Sequence, residues 1–358
     1  MTTTRDQVPE SASTLHSYFG ALLAAHRAAE QRSGENRRCY VIAGHRVHLR
    51  FAGPALAAHV APTFAHLEAP CTANSELTIC LFDSVSTSTP LPHAPWPLDQ
   101  NLHHQEPAGD DGSMVAVFVP DSATLSVVDL SRNLAVVWRH DAGDFPPFAT
   151  ASPLMFVLHA WMRKHGYQLI HAAAVGKRGG GVLFTGKSGV GKSTTAFRCL
   201  VSGLDYLSDD YCLLGLEPQP HVCSVYSAGR LCRHTLDSFP MLDAEWGRDI
   251  GRGKVQFLLH DLFPDKLIER FPVRAILIPV IGSGGDTSVQ PVGAMVALRA
   301  LAPSTIVQLA GAGPDAMAHL SRLVRQTPSY VLRLGSNPTQ IARTVLQLLA
   351  VPSPGLGG

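Results

Sequence analysis

Apolar and polar positions follow two successive rhythms along the chain. From 15 to 31 an Ala- and Leu-rich run predicts a helix. Residues 39–51 partly alternate, which predicts a hairpin turning at Ala43-Gly44. A helix is expected over 55–67 and a buried strand over 77–82 (LTICLF). Residues 84–113, rich in Ser, Pro, His, Asp and Gly, predict a long loop. Three strands, 114–119, 124–129 and 134–140, then follow with tight polar turns, as in a meander. Pro146, Pro147 and Pro153 break this rhythm, and helix 154–165 stops at Gly166. Beyond it strands 169–175 and 181–185 flank a turn, a helix starts near Thr194, and strands 206–208 and 211–216 follow. An apolar strand (275–281, AILIPVI), helical segments at 291–299 and 315–326, a strand at 330–334 and a helix at 338–349 complete the pattern. The expected organisation is an α+β module (1–148), a larger α/β domain (149–350) and a Pro/Gly tail (351–358).

The strand-to-helix junction of the second rhythm carries the chemistry. Gly186-Lys187-Ser188-Gly189-Val190-Gly191-Lys192-Ser193, followed by Thr194, fits the phosphate-binding pattern G-x-x-x-x-G-K-[ST] without a mismatch. Its glycines permit backbone conformations that aim several N–H groups at a phosphate chain. Lys192 supplies a positive charge, Ser193 a hydroxyl for Mg²⁺, and the helix its positive end. A nucleotide, with Mg²⁺, is the expected ligand.

Two further features sit at the right distance along the chain. Asp209-Asp210 follows one helix and ends a short strand, where a Mg²⁺ carboxylate belongs. One Asp would hold Mg²⁺ and the other accept a proton from an incoming hydroxyl. A turn or helix-capping pair of aspartates is the alternative. His171 heads the strand-turn-strand that delivers the loop, and is read either as a group steadying the transferred phosphoryl or as a structural histidine. Arg230 and Lys254 are candidates for contacts to phosphate or an acidic substrate, or are solvated charges. Gly251, Arg252, Gly253 and Lys254 are read from composition as a loop over the nucleotide. His93, His103 and His104, like His45 and His48, lack ligand spacing and are read as surface residues rather than a metal site.

Composition narrows the rest. Hydrophobic residues make up 46% of 358 and charged residues 16%, which allows a large core and argues against global disorder. Twenty-nine Lys and Arg against 28 Asp and Glu give no electrostatic reason to expect nucleic acid or an anionic membrane. Seven scattered cysteines without a C-x-x-C pair are expected to be free thiols of a cytoplasmic protein. Neither a secretory signal nor a membrane-spanning run is read.

Three stretches resemble the HPr serine kinase/phosphorylase superfamily: Ile170-His171-Ala172-Ala173-Ala174-Val175, the run from Gly181 to Thr195, and Tyr206-Leu207-Ser208-Asp209-Asp210-Tyr211. Within it the chain looks more like the peptide-modifying members, of the kind that phosphorylate a serine of lasso-peptide precursors. The resemblance is specific over about residues 169–215. It implies an ATP-dependent kinase domain related in fold to phosphoenolpyruvate carboxykinase. The family's active-site His matches His171, Lys192 and Ser193 match the residues that hold phosphates and Mg²⁺, and the acidic pair matches Asp209 and Asp210. The expected division is Asp210 as base and Asp209 toward Mg²⁺, with the reverse still open. Gly-rich segments at 227–231 and 251–254 do not match the signature that carries phosphorylase activity, so the resemblance does not extend to that reaction or to HPr as substrate. A serine-bearing peptide or small protein is the expected acceptor, with the N-terminal module recognising substrate or partner. A small-molecule kinase and a nucleotide-gated regulator are the alternatives. Members of the family often form homo-oligomers.

Overall fold

The computed structural model describes residues 12–96, 98, 112–251, 253–282, 284–309 and 313–350. Arg252, His103, His104 and the tail 351–358 therefore lie outside the described residues. The chain forms two units, one running up to Lys164 without Thr63–His66, the other made of Thr63–His66 and His165 onward. The Pro-rich stretch from which the sequence reading divided the chain falls inside the first unit.

The first unit comprises α1 (Ala12–Ser33), β1 (Glu35–Ile42), β2 (His45–Ala52), α2 (Ala57–Val60), β3 (Leu77–Asp83), α3 (Ser84–Thr87), β4 (Met114–Val119), β5 (Thr124–Asp129), β6 (Leu134–Arg139) and α4 (Met155–Lys164). Its six-stranded sheet has the order β1-β2-β3-β6-β5-β4. β2, β3 and β6 pair in parallel and the remaining neighbours are antiparallel. Leu15, Phe19 and Leu22 recur at helical spacing on α1 and pack with Phe82, Val127 and Val136 of the sheet. The β1–β2 hairpin turns at Ala43 and Gly44, both at positive φ, which is the two-residue turn that matches strand twist. The expected helix over 55–67 is broken: Pro62 has no N–H to continue α2 and begins a 3₁₀ turn, Pro62–Leu67.

Cys39 and Cys71 form a disulfide, which corrects the expectation of free thiols throughout. The two are 32 residues apart in sequence. A bridge between Tyr40 and Glu68 and the Ala69 N–H to Cys39 carbonyl bond (2.9 Å) bring them together. Spacing along the chain cannot show such an approach. No helix among the described residues is long and apolar enough to cross a membrane.

The second unit contains β7 (Tyr167–His171), β8 (Ala173–Lys177), β9 (Gly180–Phe184), α5 (Lys192–Val201), β10 (Asp205–Ser208), β11 (Tyr211–Gly215), β12 (His221–Cys223), β13 (Ala228–Cys232), β14 (Arg248–Asp249), β15 (Lys254–Leu258), α6 (Leu259–Leu262), β16 (Arg270–Ile281), β17 (Ser288–Val292), α7 (Ala294–Gln308), α8 (Gly313–Gln326), β18 (Ser329–Leu334) and α9 (Pro338–Ala350). A nine-stranded mixed sheet runs β10-β8-β9-β16-β12-β11-β7, with β18 pairing β16 and β17 pairing β18; β13, β15 and β14 form a separate small sheet. The large sheet is covered on both faces, which is why its strands read as unbroken apolar runs. Val182, Phe184, Ala275 and Leu277 face α5 and α9 in one core, and Leu183 and Ile276 face α7 and α8 in the other.

Three expectations change here. The single strand expected over 169–175 is two strands, β7 and β8, separated at Ala172 and paired with β11 and β10 respectively. Pro291 belongs to strand β17, and the helical segment expected within 291–299 begins at Ala294 and runs on to Gln308. The small sheet was not anticipated, because its strands are short and interrupted by Gly and charge.

Phe197 is fully buried against Tyr206, Phe239 and Phe257, with ring centroids 6.0–6.3 Å apart. Truncating it opens a cavity that these large rings cannot collapse to fill. Phe197→Ala is expected to cost about 3–5 kcal/mol of unfolding free energy, read by denaturant titration. A cost below about 1 kcal/mol would show that the core is not packed this way.

Candidate active site

Strand register places the first polar cluster. Segments 167–177 and 205–215 lie antiparallel, with His171 opposite Tyr211 and Ala174 opposite Ser208. Between those rungs Asp209 and Asp210 leave the ladder. The Ser208 hydroxyl bridges the gap by donating to the carbonyls of Tyr211 (2.8 Å) and Ala172 (3.3 Å). His171 thus comes beside Asp210, the neighbour of its own cross-strand partner, with Nε2 3.2 Å from Oδ1.

β8 is antiparallel to both β9 and β10, so β9 and β10 run the same way. β16 is parallel to β9, and β18 to β16. The C-terminal ends of these four strands therefore share one edge of the sheet, where ligands of α/β sheets collect. The loop 186–193 leaves β9 at that edge. Gly186, Gly189 and Gly191 have φ of 133°, 86° and 99°, conformations that a side chain would strain. α5 starts at Lys192 with no side chain capping its N-terminus, which leaves first-turn N–H groups for an anion. Lys192 Nζ donates to the carbonyls of Gly186 (2.8 Å) and Lys187 (3.2 Å), which holds the ammonium over the loop. Burial lowers its pKa, the two aspartates oppose that shift, and nearby Lys254 adds to it.

A cavity of about 570 Å³ lies over this edge. Of the residues expected from the sequence, His171, Ser188, Gly189, Gly191, Lys192, Ser193, Thr194, Asp209, Asp210, Arg230 and Lys254 line it. Gly186, Lys187 and Val190 do not; Val190 instead packs back toward Gly186. Arg230 and Lys254 arrive on β13 and β15 of the small sheet. Four cationic side chains (Lys192, Arg198, Arg230, Lys254) face two carboxylates, a balance that favours a polyanion.

The aspartates are electrostatically unlike. Burial, reinforced by the Asp210 charge, raises Asp209 from 3.8 to about 6, against hydrogen bonds from the Ser193 side chain and the Arg230 N–H (2.8 Å). Asp210 is also pushed up by burial, but the Arg230 guanidinium (2.5 Å), His171 and Lys192 outweigh this and hold it at about 2. A carboxylate that resists ionisation next to a hydroxyl is a fitting partner for a dication, which would supply the missing positive charge. Among the described residues no group of three or more His, Cys, Asp or Glu could hold a metal alone. Mg²⁺ bound with a nucleotide does not need one, since phosphates and water complete its shell.

Sequence reasoning missed the support of His171. Its N–H donates to Thr305 Oγ1 (3.1 Å), and its ring lies 5.4 Å from that of Tyr211, whose hydroxyl donates to Gln308 (2.5 Å). Both partners sit at the end of α7, 134 and 97 residues away along the chain, with no local motif to betray them.

No family model matches the chain, and no curated protein matches it. Among solved structures, the HPr(Ser) kinase/phosphatase from Coxiella burnetii is similar at 14% identity and a TM-score of 0.29, over 50% of this chain and 95% of that one.

The unlike aspartates make a pH prediction. Asp209 ionises less readily folded than unfolded, so its contribution to stability is present below pH about 4 and is lost as pH rises to about 6. Asp210 has the opposite sign, contributing above pH about 4 and losing that contribution as pH falls toward 2. Unfolding free energy of Asp209→Asn should therefore gain on wild type between pH 4 and 6. Parallel stability curves would contradict the assignment.

Proposed function

We propose that the second unit is an ATP-dependent phosphotransferase of the HPr-kinase-like kind, passing the γ-phosphoryl group to a hydroxyl, with a serine of a peptide or small protein as acceptor. The observation that carries this reading is one cavity holding the phosphate-binding loop on one side and the His171–Asp210–Arg230 cluster on the other. A site that only bound nucleotide would have no use for the second half.

The roles follow from position. Loop N–H groups and Lys192 hold the phosphates, and Lys254 lies close enough to depress Lys192 further. Ser193 and Asp209 would hold Mg²⁺, which supplies charge neutralisation across the phosphates when bound. Asp210 takes the acceptor's proton as the new O–P bond forms and the bond from γ-phosphorus to the β–γ bridging oxygen breaks, releasing ADP. A carboxylate at about 2 is a weak base, but in the loose transition state that most analyses give phosphoryl transfer, catalysis is mainly positioning and charge stabilisation, so the carboxylate serves chiefly to orient the hydroxyl and receive its proton. Arg230 reaches the same carboxylate and is placed to turn toward the transferring group, and His171 keeps Asp210 oriented. Under this reading the first unit recognises the acceptor.

Incubation with γ-labelled ATP, Mg²⁺ and panels of serine peptides and metabolites tests the proposal. Lys192→Met should reduce transfer at least about a hundredfold, and Asp210→Asn about 10²–10⁴-fold with nucleotide binding retained. Label on a metabolite alone would make the chain a small-molecule kinase. Tight ATP binding with no transfer to anything would replace the enzyme with a nucleotide-gated regulator.

A further inference from the structure

One end of the cavity has no role in phosphate chemistry. β16 and β18 outrun β9: Leu277 pairs with Phe184, the last residue of β9, whereas β16 continues to Ile281, paired with Leu334 of β18. Four more residues of strand carry this pair about 13 Å beyond the end of β9, along the flank of the loop. A Cβ on Gly191 would lie 3.2 Å from Leu334 Cδ1, so the leucine side chain adjoins the loop at the start of α5. Ile281, Leu334 and Ile341 of α9 line this end together with Gly282 and Gly335. Ile281 is 70% exposed, an apolar side chain on the cavity wall without a core to join.

The wall is preformed. Gly282 N–H donates to Leu334 O (3.1 Å), and Ser336 N–H to Gly285 O (3.2 Å). Gly335 N–H donates to Thr287 Oγ1 (3.1 Å), and Gln340 bonds both Thr287 N–H (3.0 Å) and Asp286 (2.6 Å). A Cβ on Gly335 would come within 2.4 Å of Gly285 O, so the two loops meet more closely than any side chain permits.

Its place relative to the acidic pair suggests an occupant. In the order β10-β8-β9-β16 the loop stands between Asp209-Asp210 on one flank and Ile281 on the other. β10 and β16 are three strand spacings apart, about 14 Å, a span comparable to an extended nucleoside triphosphate. With the reactive phosphate at Asp210, the nucleoside end reaches the Ile281–Leu334 side.

We propose that Ile281, Leu334 and Ile341 form the seat of a purine base, held by apolar contact and shape. This rests on the phosphate-loop reading above. The Gln340 side chain of α9 bonds the Thr287 N–H and Asp286, and the Thr287 hydroxyl accepts from the Gly335 N–H, so neither is aimed at a base. Ser336, the polar side chain lining this end, carries a hydroxyl that can donate or accept and does not choose between adenine and guanine. ATP and GTP therefore bind within about tenfold of each other.

Calorimetric titration of the full chain with ATP, GTP and inorganic tripolyphosphate, each with Mg²⁺, separates the seat from the loop. Wild type should bind ATP more tightly than tripolyphosphate. Ile281→Ala, at an exposed position, should weaken ATP and GTP alike by about 3–10-fold and leave tripolyphosphate unchanged. The proposal is overturned if ATP binds no more tightly than tripolyphosphate, or if GTP and ATP differ by far more than tenfold. It is also overturned if Ile281→Ala spares ATP while Arg198→Ala, at a different lining residue on α5, weakens ATP and not tripolyphosphate. Failure of wild type to bind tripolyphosphate and ATP alike would overturn the phosphate-loop reading itself, and the base seat with it.

Discussion

Two adjacent carboxylates at an interruption in a buried ribbon are the constraint around which the second unit is arranged. Side by side and withdrawn from water, Asp209 and Asp210 cannot both ionise without compensation. Arg230 meets both, its backbone N–H on Asp209 and its guanidinium on Asp210. That asymmetry divides the pair, since a full positive charge favours ionisation far more than an amide dipole does. One carboxyl is left reluctant to ionise beside Ser193, the other firmly ionised beside His171. The small sheet that carries Arg230 is thus tied electrostatically to the strand ends of the large one.

The large sheet supplies the geometry. Parallel β9, β10, β16 and β18 bring a glycine loop, an acidic pair and an apolar wall to a single edge, although these lie as much as 150 residues apart in sequence. The edge is held from both faces. Phe197 and its aromatic neighbours lock α5 from one side, and Thr305 and Gln308 of α7 fix His171 and Tyr211 from the other. Under the proposed function such backing holds the loop's N–H groups in place before a ligand arrives, because reorganisation on binding would subtract from affinity.

The first unit is built differently. Its sheet is formed from a hairpin, a crossover and a meander under one long helix, and a disulfide joins β1 to the segment that follows the 3₁₀ turn. Local rules account for much of it. The positive-φ pair Ala43-Gly44 and the tight turns of β4–β6 are short-range features, and each hairpin follows from its turn. The pairing of its crossover strand β3 and its disulfide are long-range, and cysteine spacing carries no sign of the second.

By itself the sequence determined the glycine-rich loop between a strand and a helix, most of the strand and helix segments, and Asp209, Asp210 and His171 as residues to watch, because backbone conformation and hydrophobic period are encoded within a few neighbouring positions. What it left undecided were relations between distant segments. Pairing of His171 with Asp210, the unequal acidities of the two aspartates, the arrival of Arg230 and Lys254 on an unforeseen small sheet, and the wall at Ile281 and Leu334 all depend on strand order, register and burial. These are settled only when the whole sheet closes, since each contact brings together residues whose own neighbours along the chain carry no trace of it.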